Sequence, residues 1–422
     1  MSLGSVNILG VIKNRLIETI QHIEHTKNAI KSVRFRADRQ EAIINTLNNI
    51  LDAALNELLN EIKLLEVIEN YFQSPSDIPE EKLVNVVKQV IEFRSKSITE
   101  RIDYLLYIVN RIIKEECSSE IYSFVNYYWW YLIKQLNTSQ TLSNNIRMPL
   151  FVIVKSAITG TVPLTELVEQ ILGFKCNFSY DLWIIECPLR AERYPLEWPI
   201  ILHEVIHILH ETMLNIVSRY YIRAPADTPE GRRYSHSLEY LCDFLATQLI
   251  GPIYPLRIKD FYFMGEYKIS LTHPPWTERL KVLNEYFSEL FQKIGYDVKS
   301  QIEVFLNEHY KPPEFTRPDR LEDILNEAVK LLNININVSF DAEELEYAIQ
   351  RLSKFNPYTK DTTALFNAAY IVTHIKGFDD EIKRYFEGNE QKLLSEFFYL
   401  ISDCVRLCYV RHLFERFLSQ DQ

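Results

Sequence analysis

A mainly α fold (α+β, with a small β element) is predicted for this 422-residue chain by three observations. Glycine is scarce, at ten residues, in a chain rich in Leu, Ile, Glu, Asn and Lys, which favours helix over turn-dense β structure. Long stretches on both sides of the centre carry apolar residues at three- and four-residue intervals. One segment, Asn177 to Glu186 (NFSYDLWIIE), is the best strand candidate, being β-branched and aromatic-rich and bounded by Pro188.

Taken in order, residues 6 to 72 read as helical with a break near Arg34 to Arg39. In the second half Ile44, Leu47, Leu51, Leu55, Leu58, Ile62, Leu65 and Phe72 form one apolar stripe. Ser74 to Pro79 interrupts it, and Leu83, Val87, Val90, Ile98, Leu105, Val109 and Ile112 continue the spacing to about Cys117. Two long antiparallel helices packed as a hairpin are the simplest account, either as part of a helical bundle or as an arm for a protein partner. Tyr127 to Leu132 (YYWWYL) has no interleaved basic residues and reads as core. Residues 149 to 172 suggest one or two short helices, and a long buried helix is expected from about Pro195 to Tyr221. Further helices are expected from Ser235 to Ile250 and after Thr272, then five or six helical segments over residues 295 to 420. The chain is thus divided into a helical region (1–145), a core (146–292) and a C-terminal helical region packed on it (293–422).

Composition narrows the class. A net charge of −11 argues against a general binder of nucleic acid or anionic membrane. The six cysteines lack any C-x-x-C pair or framework spacing, so a reducing, cytoplasmic setting is expected. Cys404 and Cys408 share a helix face and read as packed thiols. No apolar run reaches the ~18 residues that span a bilayer, and no signal-peptide core is seen.

The chemistry concentrates in WPIILHEVIHILHE, Trp198 to Glu211. His203 and His207 stand at i and i+4, one turn apart on one helix face, and can offer two imidazole nitrogens to one Zn²⁺. Glu204 lies about 100° round the helix, where it meets a water rather than the metal. His210 reads as a neighbour of the site or a core histidine. Downstream, Glu239 and Asp243 in EYLCD again stand at i and i+4, among Leu238, Leu241, Leu245 and Leu249. Two acids on a buried face need partners. A cation with a ligating imidazole would supply them, or Arg232 and Arg233 would do so at a surface-facing edge. In the third stretch, THPPWTERL, His273 and Arg279 can complete the site from another segment.

HEVIH, EYLCD and THPPWTER in that order resemble the gluzincin metallopeptidases, most nearly the branch of heat-shock protein X and the CaaX-processing proteases. The resemblance covers about residues 175 to 290 and implies a zincin-like core with one zinc per chain. It implies His203, His207 and Glu239 as zinc ligands, Glu204 as general base and Asp243 as the group orienting an imidazole, that of His203. It further implies that His273 binds substrate or the developing oxyanion and that Arg279 supports it electrostatically, with a peptide or protein as substrate. Tyr234 or Tyr240 could assist at the oxyanion. The transmembrane helices of that branch have no counterpart in this sequence. The competing expectation is a catalytically inactive zincin-like protein that works as a helical interaction or ligand-binding module.

Overall fold

The computed structural model describes residues 3–35, 39–73, 80–138, 149–157, 159–262, 271–310, 317–332 and 341–420. The expected breaks at Ser74–Pro79, Pro312–Pro313 and Asn333–Asn337, and the side chain of His210, lie outside what is described. The described chain is mainly helical with one small three-stranded sheet. It forms two compact units. The first holds Met1–Cys117, Arg147–Lys155 and Val162–Glu186, the second Ser118–Ile146, Ser156–Thr161 and Cys187–Gln422. Each unit is assembled from separate stretches of chain.

The first unit is built on α1 (Leu3–Ser32), α2 (Gln40–Gln73) and α3 (Glu80–Lys114). Here α1 packs along both α2 and α3 and makes a third member of a bundle. Its buried stripe is Leu16, Thr19, Ile23, Thr26 and Ile30, a 3-4-3-4 spacing in which two threonines interrupt the apolar signal. Thr19 satisfies its hydroxyl on the Arg15 carbonyl at 3.1 Å, which lets it occupy a core position.

Residues 150–156 form strand β1 (Leu150–Ser156) where helix was expected. LFVIV is a short continuous apolar run, and periodicity alone does not separate a buried strand from a buried helix turn. Next come β2 (Gly160–Pro163), α5 (Leu164–Leu172) and β3 (Leu182–Pro188). β3 lies between β1 and β2. It therefore has a neighbour on each side.

The second unit begins with α4 (Ser119–Thr138) and continues with α6 (Trp198–His207) and α7 (His210–Val217). Phe124 of α4, Trp198 of α6 and Phe366 pack with ring centroids 4.9 to 5.9 Å apart, and the Trp198 indole donates to the Ala191 carbonyl at 2.7 Å. The single helix expected over 195–221 is divided. Ile208 and Leu209 bond to the carbonyls of Val205 and Ile206, the tighter three-residue pattern that ends α6 immediately after His207.

Helix α8 (Pro229–Ile250) starts earlier than expected because Thr228 caps it, accepting from the Gly231 amide, with Pro229 in the first turn. A β-carbon at residue 231 would collide with the Pro225 carbonyl oxygen, so glycine is required there. Gly251, at φ 78°, then turns the chain sharply into α9 (Ile253–Tyr262). The chain ends in α10 (Trp276–Ile294), α11 (Val298–His309), α12 (Leu321–Leu332), α13 (Ala342–Ser353), α14 (Thr362–Ile371), α15 (Asp380–Tyr385) and α16 (Glu390–Gln420). Asn367 of α14 fixes the α8–α9 corner, donating to the Ile250 carbonyl at 2.7 Å and accepting from the Ile253 amide at 3.0 Å. Among the described residues no helix is long and apolar enough to cross a membrane.

Candidate metal centre

Helix α6 is buried from Trp198 to Ile206, and its tryptophan and isoleucine packing sets its rotation. That rotation aims His203 and His207 at α8. Their Nε2 atoms face one another at 3.0 Å. Glu239 of α8 approaches both, with 3.1 Å from Oε2 to His203 Nε2 and 3.5 Å from Oε1 to His207 Nε2. Zinc with ~2.0–2.2 Å bonds in a tetrahedron separates its ligand atoms by roughly 3.3–3.6 Å, and the separations of 3.0, 3.1 and 3.5 Å between the two imidazoles and the carboxylate lie near that spacing. Two imidazoles and one carboxylate are also the chemistry that a borderline cation prefers.

A second grouping is present. His203, His207 and Cys242 carry potential ligand atoms within 4.8 Å of one another. Cys242 Sγ, however, lies 3.5 Å from Nδ1 of His207, the ring nitrogen other than the one facing His203. Burial pushes its thiol pKa up, with Glu239 and Asp243 adding to the effect. Two candidate donor sets therefore share His203 and His207, one completed by Glu239 and the other by Cys242.

Behind His203 stands a buried polar cluster. Asp243, 1% exposed, lies with Oδ1 2.9 Å from His203 Nδ1. Arg279 of α10 binds the same carboxylate bidentately, Nε to Oδ2 at 2.6 Å and Nη2 to Oδ1 at 2.5 Å. Its guanidinium also lies 4.1 Å from the centroid of the Trp276 ring. Tyr254 of α9 donates to Asp243 Oδ1 at 2.5 Å, with its oxygen 3.1 Å from His203 Nδ1. Arg279, expected to support His273, thus makes its shortest bonds to Asp243. Neither acid forms a surface edge with Arg232 or Arg233, since Glu239 and Asp243 are both buried.

Glu204 accepts a hydrogen bond from Thr161 of β2 at 2.8 Å on Oε2, and the same hydroxyl lies 3.0 Å from the Glu204 carbonyl. His273 is half-exposed, with Nε2 3.4 Å from Glu239 Oε1 and Nδ1 2.8 Å from the Thr272 hydroxyl. The tyrosine that reaches the imidazoles is Tyr254; Tyr234 and Tyr240 are buried elsewhere along α8.

The charges respond to this crowding. Burial disfavours a charge on His203, but Asp243 and Glu239 outweigh it and hold its pKa up at about 9. Burial, reinforced by the neighbouring His203, His273 and Arg279, pushes His207 down to about 4 against the pull of Glu239. Burial also works against ionisation of Asp243 and Glu239. Arg279 with His203 overcomes it for the first, holding it at about 2, and the facing histidines hold the second below its ordinary range. Glu204 moves the other way: burial raises it, and His203 and Thr161 recover only part of the shift.

Thr161, Tyr254 and Cys242 as a candidate donor were not singled out in the sequence. Thr161 and Tyr254 belong to elements whose place beside α6 depends on tertiary packing, and Cys242 sits unmarked inside EYLCD. Elsewhere the isolated histidines have ordinary surroundings. His22 and His25 are exposed, His374 stacks on Tyr370 at 4.2 Å, and His412 meets the edge of Tyr127. Cys404 and Cys408 are buried free thiols of α16. The chain matches no model of a known protein family, no curated protein and no solved structure.

Proposed function

We propose that the protein is a zincin-like metallopeptidase, hydrolysing peptide bonds with one zinc ion held by His203, His207 and Glu239. The observation that carries this reading is the approach of two imidazole Nε2 atoms and one carboxylate to within 3.0–3.5 Å of one another, beside the buried carboxylate of Glu204. When bound, zinc supplies a Lewis acid that polarises a carbonyl and acidifies water.

The protein's own groups divide the remaining work. Thr161 occupies Oε2 of Glu204 and so leaves Oε1 as the atom that takes a proton from the attacking water. Burial raises the proton affinity of that carboxylate, which suits a base that later returns the proton to the leaving amine. His273 is half-exposed beside Glu239 and offers an imidazole N–H to the carbonyl oxygen of a bound peptide. Asp243, held by Arg279, keeps the His203 ring turned towards Glu239. An inactive interaction module is less well supported, because such a protein has no use for a base anchored by its own hydrogen bond.

Elemental analysis of the purified full chain, after zinc is supplied and excess removed, tests the metal site. About one zinc per chain is expected, lost in Glu239→Ala. Glu204→Gln should retain the zinc and lose turnover on a mixed peptide library by about 10²–10⁴-fold, the usual share of a general base. A wild-type chain without zinc would sink the reading, and so would a Glu204→Gln variant that cleaves at the wild-type rate.

A further inference from the structure

Tyr254 has no part in the roles assigned above, yet its hydroxyl reaches the centre of the cluster behind His203. Three donors converge on one oxygen there. Asp243 Oδ1 lies 2.5 Å from Tyr254 Oη, 2.5 Å from Arg279 Nη2 and 2.9 Å from His203 Nδ1. A carboxylate oxygen has two lone pairs and cannot serve three donors fully. The phenol resolves the shortfall. It gives its own proton to Asp243 and turns its oxygen lone pairs towards His203 Nδ1 at 3.1 Å.

The ring geometry agrees. The planes of Tyr254 and His203 are 6° from parallel, with centroids 6.5 Å apart. That is too distant for face-to-face contact and places the hydroxyl at the imidazole edge, where an Nδ1–H points. The phenol is also firmly placed. Tyr254 follows the Gly251 corner, and the amide of Ile253 just before it is held by Asn367. It is itself buried, 1% exposed.

We infer that Tyr254 is a positioning residue for the metal centre: with Asp243 it forms a two-acceptor cradle for the His203 Nδ1 proton and thereby fixes the direction in which Nε2 faces Glu239 and His207. This rests on the metal-site reading above and adds a residue to it. Arg279 is consistent with the assignment. Its Nη2 lies 3.4 Å from His203 Nδ1, but two donors do not bond one another, so its proton goes to Asp243.

The test is the Zn²⁺ affinity of the full chain, measured by competition with a chelator, for wild type, Tyr254→Phe, Asp243→Asn and the double variant. Tyr254→Phe keeps the ring and removes only the hydroxyl. It should weaken Zn²⁺ binding about 10-fold, the low end for loss of a group that orients a ligand. If the hydroxyl acts through the Asp243–His203 pair, the two losses do not multiply, and the double variant should bind within about 2-fold of Asp243→Asn alone. Unchanged affinity in Tyr254→Phe, or losses that multiply, would overturn the inference while leaving the metal site standing. Nitrogen NMR of the zinc-loaded wild type is an independent check that needs no variant to fold, and a His203 Nδ1 lacking its proton would also overturn it. Wild-type protein that binds no Zn²⁺ removes the metal-site reading, and this assignment with it.

Discussion

Glu61 of α2 and Asp243 of α8 are both carboxylates buried to 1% exposure, one in each unit, and they are held in opposite ways. Glu61 receives Arg94 Nε at 2.9 Å and the Ser95 hydroxyl at 3.2 Å, both from α3. The Arg94 side chain is 54% exposed, so this pair leads outward to water. Asp243 receives Arg279 twice, Tyr254 and His203, and Arg279 is only 3% exposed. Its partners lead inward, to an imidazole whose far nitrogen faces Glu239 and His207. A buried charge therefore has two uses here. In the bundle it ties one helix to its neighbour at a point open to solvent, and beside the candidate metal centre it orients a group that has other bonds to make.

The contrast is broken most severely at Asp243. Replacing it with Leu would strand the Arg279 guanidinium in the core without its counter-charge, and would release both the His203 ring and the Tyr254 hydroxyl, which Asp243 holds in place. Breaking a buried pair by removing one partner costs about 3–5 kcal/mol. The expected outcome is an unfolding free energy lowered by that amount in denaturant titration, together with loss of bound zinc. Asp243→Leu protein as stable as wild type would mean that the cluster is not the electrostatic unit its distances describe. A smaller loss is expected at Thr161→Val, which takes one hydrogen bond from Glu204 and keeps the β-branched shape. About 1 kcal/mol, or roughly a 5-fold fall in turnover with zinc content unchanged, is expected from a lost hydrogen bond of ordinary strength. Loss of zinc from that variant would place Thr161 with the metal ligands and not with the base.

These cases also separate what the sequence could reveal from what it could not. The pairs His203/His207 and Glu239/Asp243 were readable because a helix sets the relative direction of residues four apart without help from the rest of the chain. The mainly helical character was readable for the same local reason. Tyr254 and Thr161 were not, since each reaches the site only after a turn or a strand is placed by tertiary packing. The α1 stretch was legible as helix but its buried face was not: Thr19 and Thr26 occupy core positions and count as polar in any hydrophobic pattern. In β1 the fault lay in the period, because five apolar residues in a row fit either a buried strand or a buried helix.

The smallest effect is expected at Glu61, and it sharpens the comparison further. In Glu61→Leu the Arg94 head group is already half in water and can swing fully out, so no charge is stranded. The new leucine would extend the buried row of Leu47, Ala54, Leu58 and Leu65 on α2. Ser95 can turn its hydroxyl to a carbonyl of its own helix. Replacing a buried ion pair with an apolar side chain of similar volume is often neutral or stabilising, so a change within about 1 kcal/mol of zero, of either sign, is expected from denaturant unfolding. Zinc content should not change. A loss of about 3 kcal/mol or more, of the size expected for Asp243, would show that Arg94 cannot leave the bundle and that the two carboxylates are held alike after all.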